Sequence, residues 1–180
     1  MKRTSFLALI LALALCLIAI PATAAHSPEK LLRSIESLAE EGGILNCDFQ
    51  VKSSTIDEII DELGSPNRSN YVKSAHGTYA TFSSDNVVVG YGKGDQVFEL
   101  RSYSKRLHVI TERNVTTYFG EPDHTSSLDG QRIISYVLND EFNVKFVFDT
   151  KNADAPLNHY NVIWLEGTEN DMAGDHGRNW

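Results

Sequence analysis

Hydrophobic and polar positions follow two different periods along this chain. In residues 28–41 the apolar side chains recur at helical spacing, and Gly42 and Gly43 follow directly. This pattern predicts an amphipathic helix that ends at the two glycines. In residues 45–51 the apolar side chains instead alternate with polar ones. A period of two predicts an extended segment with one buried face, and it places Cys47 on that face as a structural cysteine.

One pattern in the chain occurs twice, in residues 55–67 and again in residues 111–123. Each copy opens with a threonine, continues with apolar residues at helical spacing and closes with Gly-x-Pro. Threonine caps a helix start, glycine ends a helix and proline prevents its continuation. A repeat of this length indicates a duplicated supersecondary unit.

Three strand-like runs follow each predicted helix. Turn-forming residues separate the runs, which suits antiparallel hairpins. The runs are residues 78–83, 86–91 and 96–103 in the first copy, and 132–138, 142–149 and 159–165 in the second.

These elements predict an α+β protein of two tandem αβββ units. The six strands form either one continuous antiparallel sheet or two adjoining sheets, with the helices packed on one face. The predicted organisation is a signal peptide in residues 1–25, an N-terminal helix in 26–43, the two repeats in 44–104 and 105–167, and an irregular tail in 168–180.

The first 25 residues have the three parts of a secretory signal peptide. A basic start precedes an apolar run in residues 6–20, and small residues follow for cleavage after Ala24 or Ala25. A lipid anchor at Cys16 is disfavoured because the bulky Leu15 precedes it. We therefore predict a secreted, extracellular protein without a membrane span after cleavage. It retains one cysteine, Cys47, and so has no internal disulfide.

The chain is acidic, with a formal net charge of −8, and loss of Lys2 and Arg3 with the signal peptide lowers it by two. This charge and the lack of Lys and Arg clusters argue against nucleic-acid binding. We expect a monomer.

No motif predicts a catalytic, metal or cofactor site. The six histidines show no paired spacing, and Asp171, Asp175 and His176 lie in a polar tail that explains them without a cation. Residues 90–94 are rich in glycine but lead into a strand, whereas a phosphate loop leads into a helix. We predict no bound cofactor.

Aromatic residues in the strands are the candidate binding residues. Rigid amphipathic rings anchor protein interfaces and stack on sugars, although such rings are also common in cores. The candidates are Tyr79, Tyr91, Tyr103, Tyr136, Tyr160 and Trp164.

Several motifs together resemble the YjgB-like family of exported bacterial proteins. They lie in residues 77–82, 89–91, 97–103, 105–107, 158–160, 172–173 and 177–180. The family has no assigned activity and no established catalytic residues, so the resemblance carries none over to this chain. The helix, Gly-x-Pro turn and hairpin order also resembles, more distantly, the tandem units of β-lactamase-inhibitor-like proteins, which act by presenting a surface to another protein.

The leading functional hypothesis is a secreted, non-catalytic binding module, inhibitor-like in character, whose partner is an extracellular or envelope protein or a glycan. Its site is expected on the sheet face opposite the helices, or on residues 69–76 and 151–158. The alternative is a small extracellular hydrolase or metal-dependent enzyme that uses Glu99, Arg101 and His159, although a cross-strand ion pair also explains Glu99 and Arg101. The third hypothesis is a structural envelope protein.

Overall fold

The structure is a computed structural model that describes residues 27–168. The predicted signal peptide and residues 169–180 of the predicted tail lie outside this range. The helices are α1 (Pro28–Ala39), α2 (Ile56–Leu63) and α3 (Glu112–Phe119). The strands are β1 (Gly43–Ile44), β2 (Cys47–Gln50), β3 (Arg68–Val72), β4 (Gly77–Phe82), β5 (Val87–Tyr91), β6 (Val97–Ser102), β7 (His124–Leu128), β8 (Gln131–Val137), β9 (Phe142–Phe148) and β10 (Leu157–Trp164).

Eight of the strands form one antiparallel sheet in the order β3-β4-β5-β6-β10-β9-β8-β7. The α+β class and the antiparallel sheet are thus confirmed, and the sheet is continuous. The last strands of the two units, β6 and β10, meet at its centre, so the order is symmetric about this pair. Strands β1 and β2 form a separate hairpin.

Each unit has four strands in the main sheet, one more than the three predicted. The additional strands, β3 and β7, are the two edges of the sheet, and all their residues are exposed. An edge strand exposed on both faces needs no hydrophobic side, so its polar sequence resembles that of a loop. The repeat boundaries at residues 44, 104 and 167 remain a prediction.

The two units share local geometry as well as element order. Thr55 and Thr111 cap their helices with the same pair of reciprocal hydrogen bonds. In β6 a bulge leaves Phe98 without a register partner on β5, and in β10 a bulge leaves Asn158 without one on β9. Val97 and Leu157, just before the bulges, donate their backbone N–H to Ser54 and Ile110. The bulges therefore mark equivalent positions.

The helices cover one face of the sheet. Leu32 and Ile35 of α1, Ile59 of α2 and Val115 of α3 are wholly buried in one core with alternate residues of the strands. The hydroxyl of Tyr118 in α3 donates a hydrogen bond to Glu36 in α1 at 2.6 Å. The N-terminal helix is therefore part of the core. Within residues 27–168, no helix has the length and apolar character that crossing a membrane requires.

Cys47 is partly buried and packs against this core. Burial raises the pKa of its thiol to about 11. A thiol with this pKa is protonated at neutral pH and is therefore a poor nucleophile, which fits the structural role predicted for it.

Candidate functional site

The face of the sheet away from the helices is here called the open face. It carries most of the buried and half-buried charged side chains of the strands. Side chains alternate along a strand, so Leu100, Tyr160 and Val162 enter the core while Arg101 and Asn161 face the other way. Each bulge adds one residue to the open face by breaking this alternation. As a result, Phe98 and Glu99 in β6, and Asn158 and His159 in β10, are successive open-face residues.

The strand register brings polar residues from both units into one row across the centre of the sheet. Arg101 of β6 is opposite Asn161 of β10, and Asn161 is opposite Lys145 of β9. The row continues through Ser135 of β8 to His124 of β7. Side chains that face each other on neighbouring strands have Cβ atoms about 5 Å apart, so this row forms a continuous polar surface.

A groove of about 820 Å³ lies on this surface. Glu99, Arg101, Lys145, His159 and Asn161 line it, together with all of β7 and Ser74 from the connection before β4. Residues of both units thus form the groove at the junction of β6 and β10. Its volume is within the range of about 300–1,000 Å³ that is usual for small-molecule sites.

Glu99 is the centre of a buried hydrogen-bond network. Its carboxylate is 1% exposed and accepts hydrogen bonds from the Tyr79 hydroxyl at 2.7 Å, from Arg101 Nε at 2.6 Å and from Asn161 Nδ2 at 2.5 Å. Burial alone would raise the pKa of Glu99, but the Arg101 cation and the three hydrogen bonds outweigh burial and hold it below its usual value. Glu99 is therefore an ionised carboxylate fixed in position.

Arg101 is held from two sides. Its guanidinium carbon lies 4.7 Å from the centre of the Tyr79 ring, and its Nε bonds to Glu99. Burial lowers the pKa of Arg101, but the charge and hydrogen bond of Glu99, together with Tyr79 and Tyr103, outweigh burial and raise it above its usual value. The side chain is still 28% exposed. Nε is one of five N–H donors in a guanidinium, so an oriented cation faces the groove.

Tyr79 reaches Glu99 only because the strand between them carries a glycine. Tyr79 of β4, Gly90 of β5 and Glu99 of β6 are opposite one another in register. A Cβ atom on Gly90 would lie 2.9 Å from Tyr79 Cε1 and 3.1 Å from Glu99 Cβ. The tyrosine ring therefore lies across the backbone of Gly90.

The Gly90→Ala substitution is expected to displace the Tyr79 ring and to lower the free energy of unfolding by about 1–3 kcal/mol, as overpacking does. Urea denaturation measures this loss. Gly92→Ala is the matched control, because a Cβ atom there would meet only Phe98 Cδ1 at 3.9 Å. Equal stability of the two variants would contradict the role assigned to Gly90.

Asn161 has one polar atom engaged and one without a partner. Its side chain is 7% exposed, and its Nδ2 is bonded to Glu99. Its Oδ1 is buried and accepts no hydrogen bond within residues 27–168. A buried acceptor without a donor costs free energy, so such an atom in the wall of a groove points to a ligand that donates to it.

His159 is oriented by a chain of hydrogen bonds. Asn158 donates Nδ2 to Asp149 at 2.6 Å, which directs its Oδ1 to His159 Nδ1 at 2.7 Å. Because Oδ1 is an acceptor, Nδ1 carries the ring proton and Nε2 keeps its lone pair. The ring also stacks on Tyr103 with centroids 4.5 Å apart. Burial, then the nearby Arg101, lowers the pKa of His159 to about 4, so the imidazole is neutral at pH 7.

Lys145 supplies the second cation of the groove. It is half-buried, and burial lowers its pKa to about 8, with Glu99 acting in the opposite direction. Most of the lysine is still protonated at pH 7. Among residues 27–168, no three His, Cys, Asp or Glu side chains meet in a way that could hold a metal ion.

The structure does not bring the six predicted aromatic residues together. Tyr136 and Tyr160 face the helices and are buried in the core, and Tyr91 packs against that core. Tyr79 is buried on the open face. Trp164 is half-buried and packs against the hydrophobic clusters on both faces of the sheet. Tyr103 lines the groove. The binding role of these residues remains a prediction, and Tyr160, which is wholly buried, presents no surface to a partner.

The three residues of the enzyme hypothesis, Glu99, Arg101 and His159, do converge in the groove. Sequence reasoning missed Lys145 and Asn161, and the available signal was the alternation of β9 and β10, in which both are polar positions between apolar ones. That pattern predicts a face away from the core but not a concave one.

Comparison with known proteins places this chain in a family. The model of the family described as "Domain of unknown function (DUF4309)" matches residues 32–163. The chain belongs to the DUF4309 family. The match includes α2 and α3, the eight strands of the main sheet up to Ile163 in β10, and every charged residue of the groove.

A crystal structure of a DUF4309 family protein, YjgB from Bacillus subtilis subsp. subtilis str. 168, is similar in fold. The TM-score is 0.58 at 15% sequence identity, and the similarity covers 76% of this chain and 97% of that one. The resemblance to YjgB-like proteins is thereby confirmed, and at this identity the likeness shows the fold alone. No curated protein matches the chain. The more distant resemblance to β-lactamase-inhibitor-like proteins stays a prediction.

Proposed function

We propose that this DUF4309 protein is an exported, non-catalytic binding module that takes a small polar ligand in the open-face groove. The observation that carries the proposal is the buried network around Glu99, which fixes Arg101 and Asn161 at the groove. Within residues 27–168, this arrangement leaves Asn161 Oδ1 without a donor. Side chains that are already fixed lose little freedom when a ligand binds, which favours affinity.

The same network favours binding over catalysis. Glu99 already accepts three hydrogen bonds, and its lowered pKa makes it a weak base. His159, with a pKa of about 4, is far from the value near 7 at which a general base is most effective. The groove also counts against a purely structural envelope role, because such a role requires no cleft.

Export is the second part of the proposal. It is supported by the basic, apolar and small-residue segments of residues 1–25. Expression of the chain with and without these residues in a bacterial host, followed by cell fractionation, tests it. The protein should leave the cytoplasm only when residues 1–25 are present, and export of both forms or of neither would contradict this part.

Binding is tested by titrating the ¹⁵N-labelled protein with a panel of sugars, organic acids, amino acids and short peptides. We expect saturable shifts of backbone amides at Lys145, His159 and Asn161. A panel in which no compound perturbs these amides would overturn the ligand-binding role.

One observation favours a hydrolase as a second candidate, namely the convergence of Glu99, Arg101 and His159. Chromogenic esters, glycosides and phosphate esters distinguish the two candidates. Turnover that His159→Gln abolishes would establish the enzyme, whereas groove binding without turnover of any of these substrates favours the binding module.

A further inference from the structure

The charge of the groove indicates the charge of its ligand. Glu99, Arg101 and Lys145 are the Asp, Glu, Lys and Arg side chains that line it, so these cations exceed anions by one. Glu99 is already bonded to three donors. This small positive region occurs in a chain whose net charge is −8. Oriented arginine and lysine side chains bind carboxylates and phosphates through charge-assisted hydrogen bonds. A carboxylate carries one negative charge and matches an excess of one cation, whereas a phosphate monoester carries nearly two.

The groove also presents hydrogen-bond acceptors, and an ionised carboxylate has no N–H or O–H group to donate to them. Asn161 Oδ1 has no donor within the described residues, and His159 presents a neutral ring whose Nδ1 proton is bonded to Asn158. The lone pair of His159 Nε2 is therefore a second acceptor. A ligand that fits both must carry donors in addition to its carboxylate.

The neighbouring cations decide which donors these are. Asn161 lies between Arg101 and Lys145 in the strand register. An ammonium group placed there would be repelled by both cations, because like charges close together in a partly buried site are unfavourable. The nearby Glu99 carboxylate offsets this little, because it already accepts three hydrogen bonds, one of them from Arg101. Neutral hydroxyl groups donate without this repulsion. We propose that the groove binds a hydroxylated carboxylic acid, with a sugar acid as the representative ligand, and this inference rests on the binding role proposed above.

Lys145 links binding of the carboxylate to binding of the hydroxyl groups. It is the register neighbour of Asn161 on β9, and its side chain is long and half-buried. A carboxylate bound at Lys145 brings the rest of the ligand next to Asn161, whose Oδ1 has no donor within the described residues. The carboxylate and the hydroxyl are therefore expected to bind together, and neither alone is expected to bind well.

Three groups of probes separate these requirements by calorimetric titration near pH 7. D-Glucuronate, D-galacturonate and D-gluconate carry both the carboxylate and hydroxyls. D-Glucose lacks the carboxylate, and cyclohexanecarboxylate lacks the hydroxyls. At least one sugar acid is expected to bind about tenfold more tightly than glucose and cyclohexanecarboxylate, the difference that one charge-assisted hydrogen bond supplies.

Two variants of Lys145 and one matched control locate the interaction. Lys145→Gln removes the charge at similar length and is expected to weaken sugar-acid binding about tenfold, while Lys145→Arg should retain most of it. Lys30→Gln removes an exposed lysine from α1, on the opposite side of the sheet, and should leave the affinity unchanged. Circular dichroism confirms that each variant is folded.

Each other outcome is decisive. Equal binding of glucose overturns the carboxylate requirement, and equal binding of cyclohexanecarboxylate overturns the hydroxyl requirement. If no sugar acid binds but another compound of the earlier panel shifts the groove amides, this inference fails and the binding module stands. If no compound of either set shifts the groove amides, both the sugar-acid inference and the binding module fail. Sugar-acid binding that Lys145→Gln leaves unchanged places the site elsewhere and overturns the inference.

Discussion

Replacement of Glu99 with alanine is expected to lower the free energy of unfolding by about 3–4 kcal/mol, because removal of one partner leaves the other charge of a buried pair uncompensated. Arg101 would lose its carboxylate while remaining largely enclosed, and the Tyr79 hydroxyl and Asn161 Nδ2 would lose their acceptor. Urea denaturation at neutral pH measures the loss.

Two comparisons make this result specific. The ion pair between Lys52 and Glu141 is exposed, at 42% and 48%, so Glu141→Ala should cost less than about 1 kcal/mol. The double variant Glu99→Leu with Arg101→Met removes both charges and should be more stable than Glu99→Ala. If Glu99→Ala is no more damaging than Glu141→Ala, the network is not a stabilising unit.

Acid is expected to destabilise the protein through His159. In the folded state its pKa is about 4, and in the unfolded chain it returns to about 6.5. Between these values the unfolded state binds more protons, so stability falls as the pH decreases from about 6.5 to 4, by about 3 kcal/mol in total. Arg101 adds to this shift, whereas Glu99 and Asp149 oppose it. Denaturation at about pH 7 and pH 4.5 measures most of the effect.

The substitution His159→Gln isolates this contribution. The variant should lose less stability than the wild type over the same pH range, whatever its stability at pH 7. His108→Gln is the matched control, because it removes an exposed histidine, on the short helix after β6, that does not line the groove. The lowered pKa of Glu99 also favours acid unfolding, but it acts equally in all three proteins. Identical pH dependence of wild type and His159→Gln would refute the prediction.

Most of the fold could be predicted from the sequence because its signals are local. The Thr and Gly-x-Pro motifs mark both repeat helices, and the alternation of apolar residues marks the six inner strands. Strands β3 and β7 could not be found this way. Their sequences reflect solvent on both faces, and their position depends on pairing with β4 and β8.

Less of the candidate site could be predicted, for two physical reasons. The bulges at Phe98 and Asn158 shift the alternation of inward and outward side chains, and no residue type in either strand predicts a bulge. The groove also depends on the pairing of β6 with β10, a contact between residues far apart in the chain. Glu99, Arg101 and His159 could be singled out as ionisable strand residues, whereas the partnership of Asn161 and Lys145 with them required the register.

The paired bulges show how far the groove departs from twofold symmetry. Counted from the bulges, Glu99 of the first unit corresponds to His159 of the second, and Arg101 corresponds to Asn161. Two separate copies of a single unit, joined along their last strands, would place two glutamates and two arginines around one axis. In this chain the two units instead present different groups, Glu99 and Arg101 from the first and His159 and Asn161 from the second, so the groove offers unlike chemistry to the two ends of a ligand.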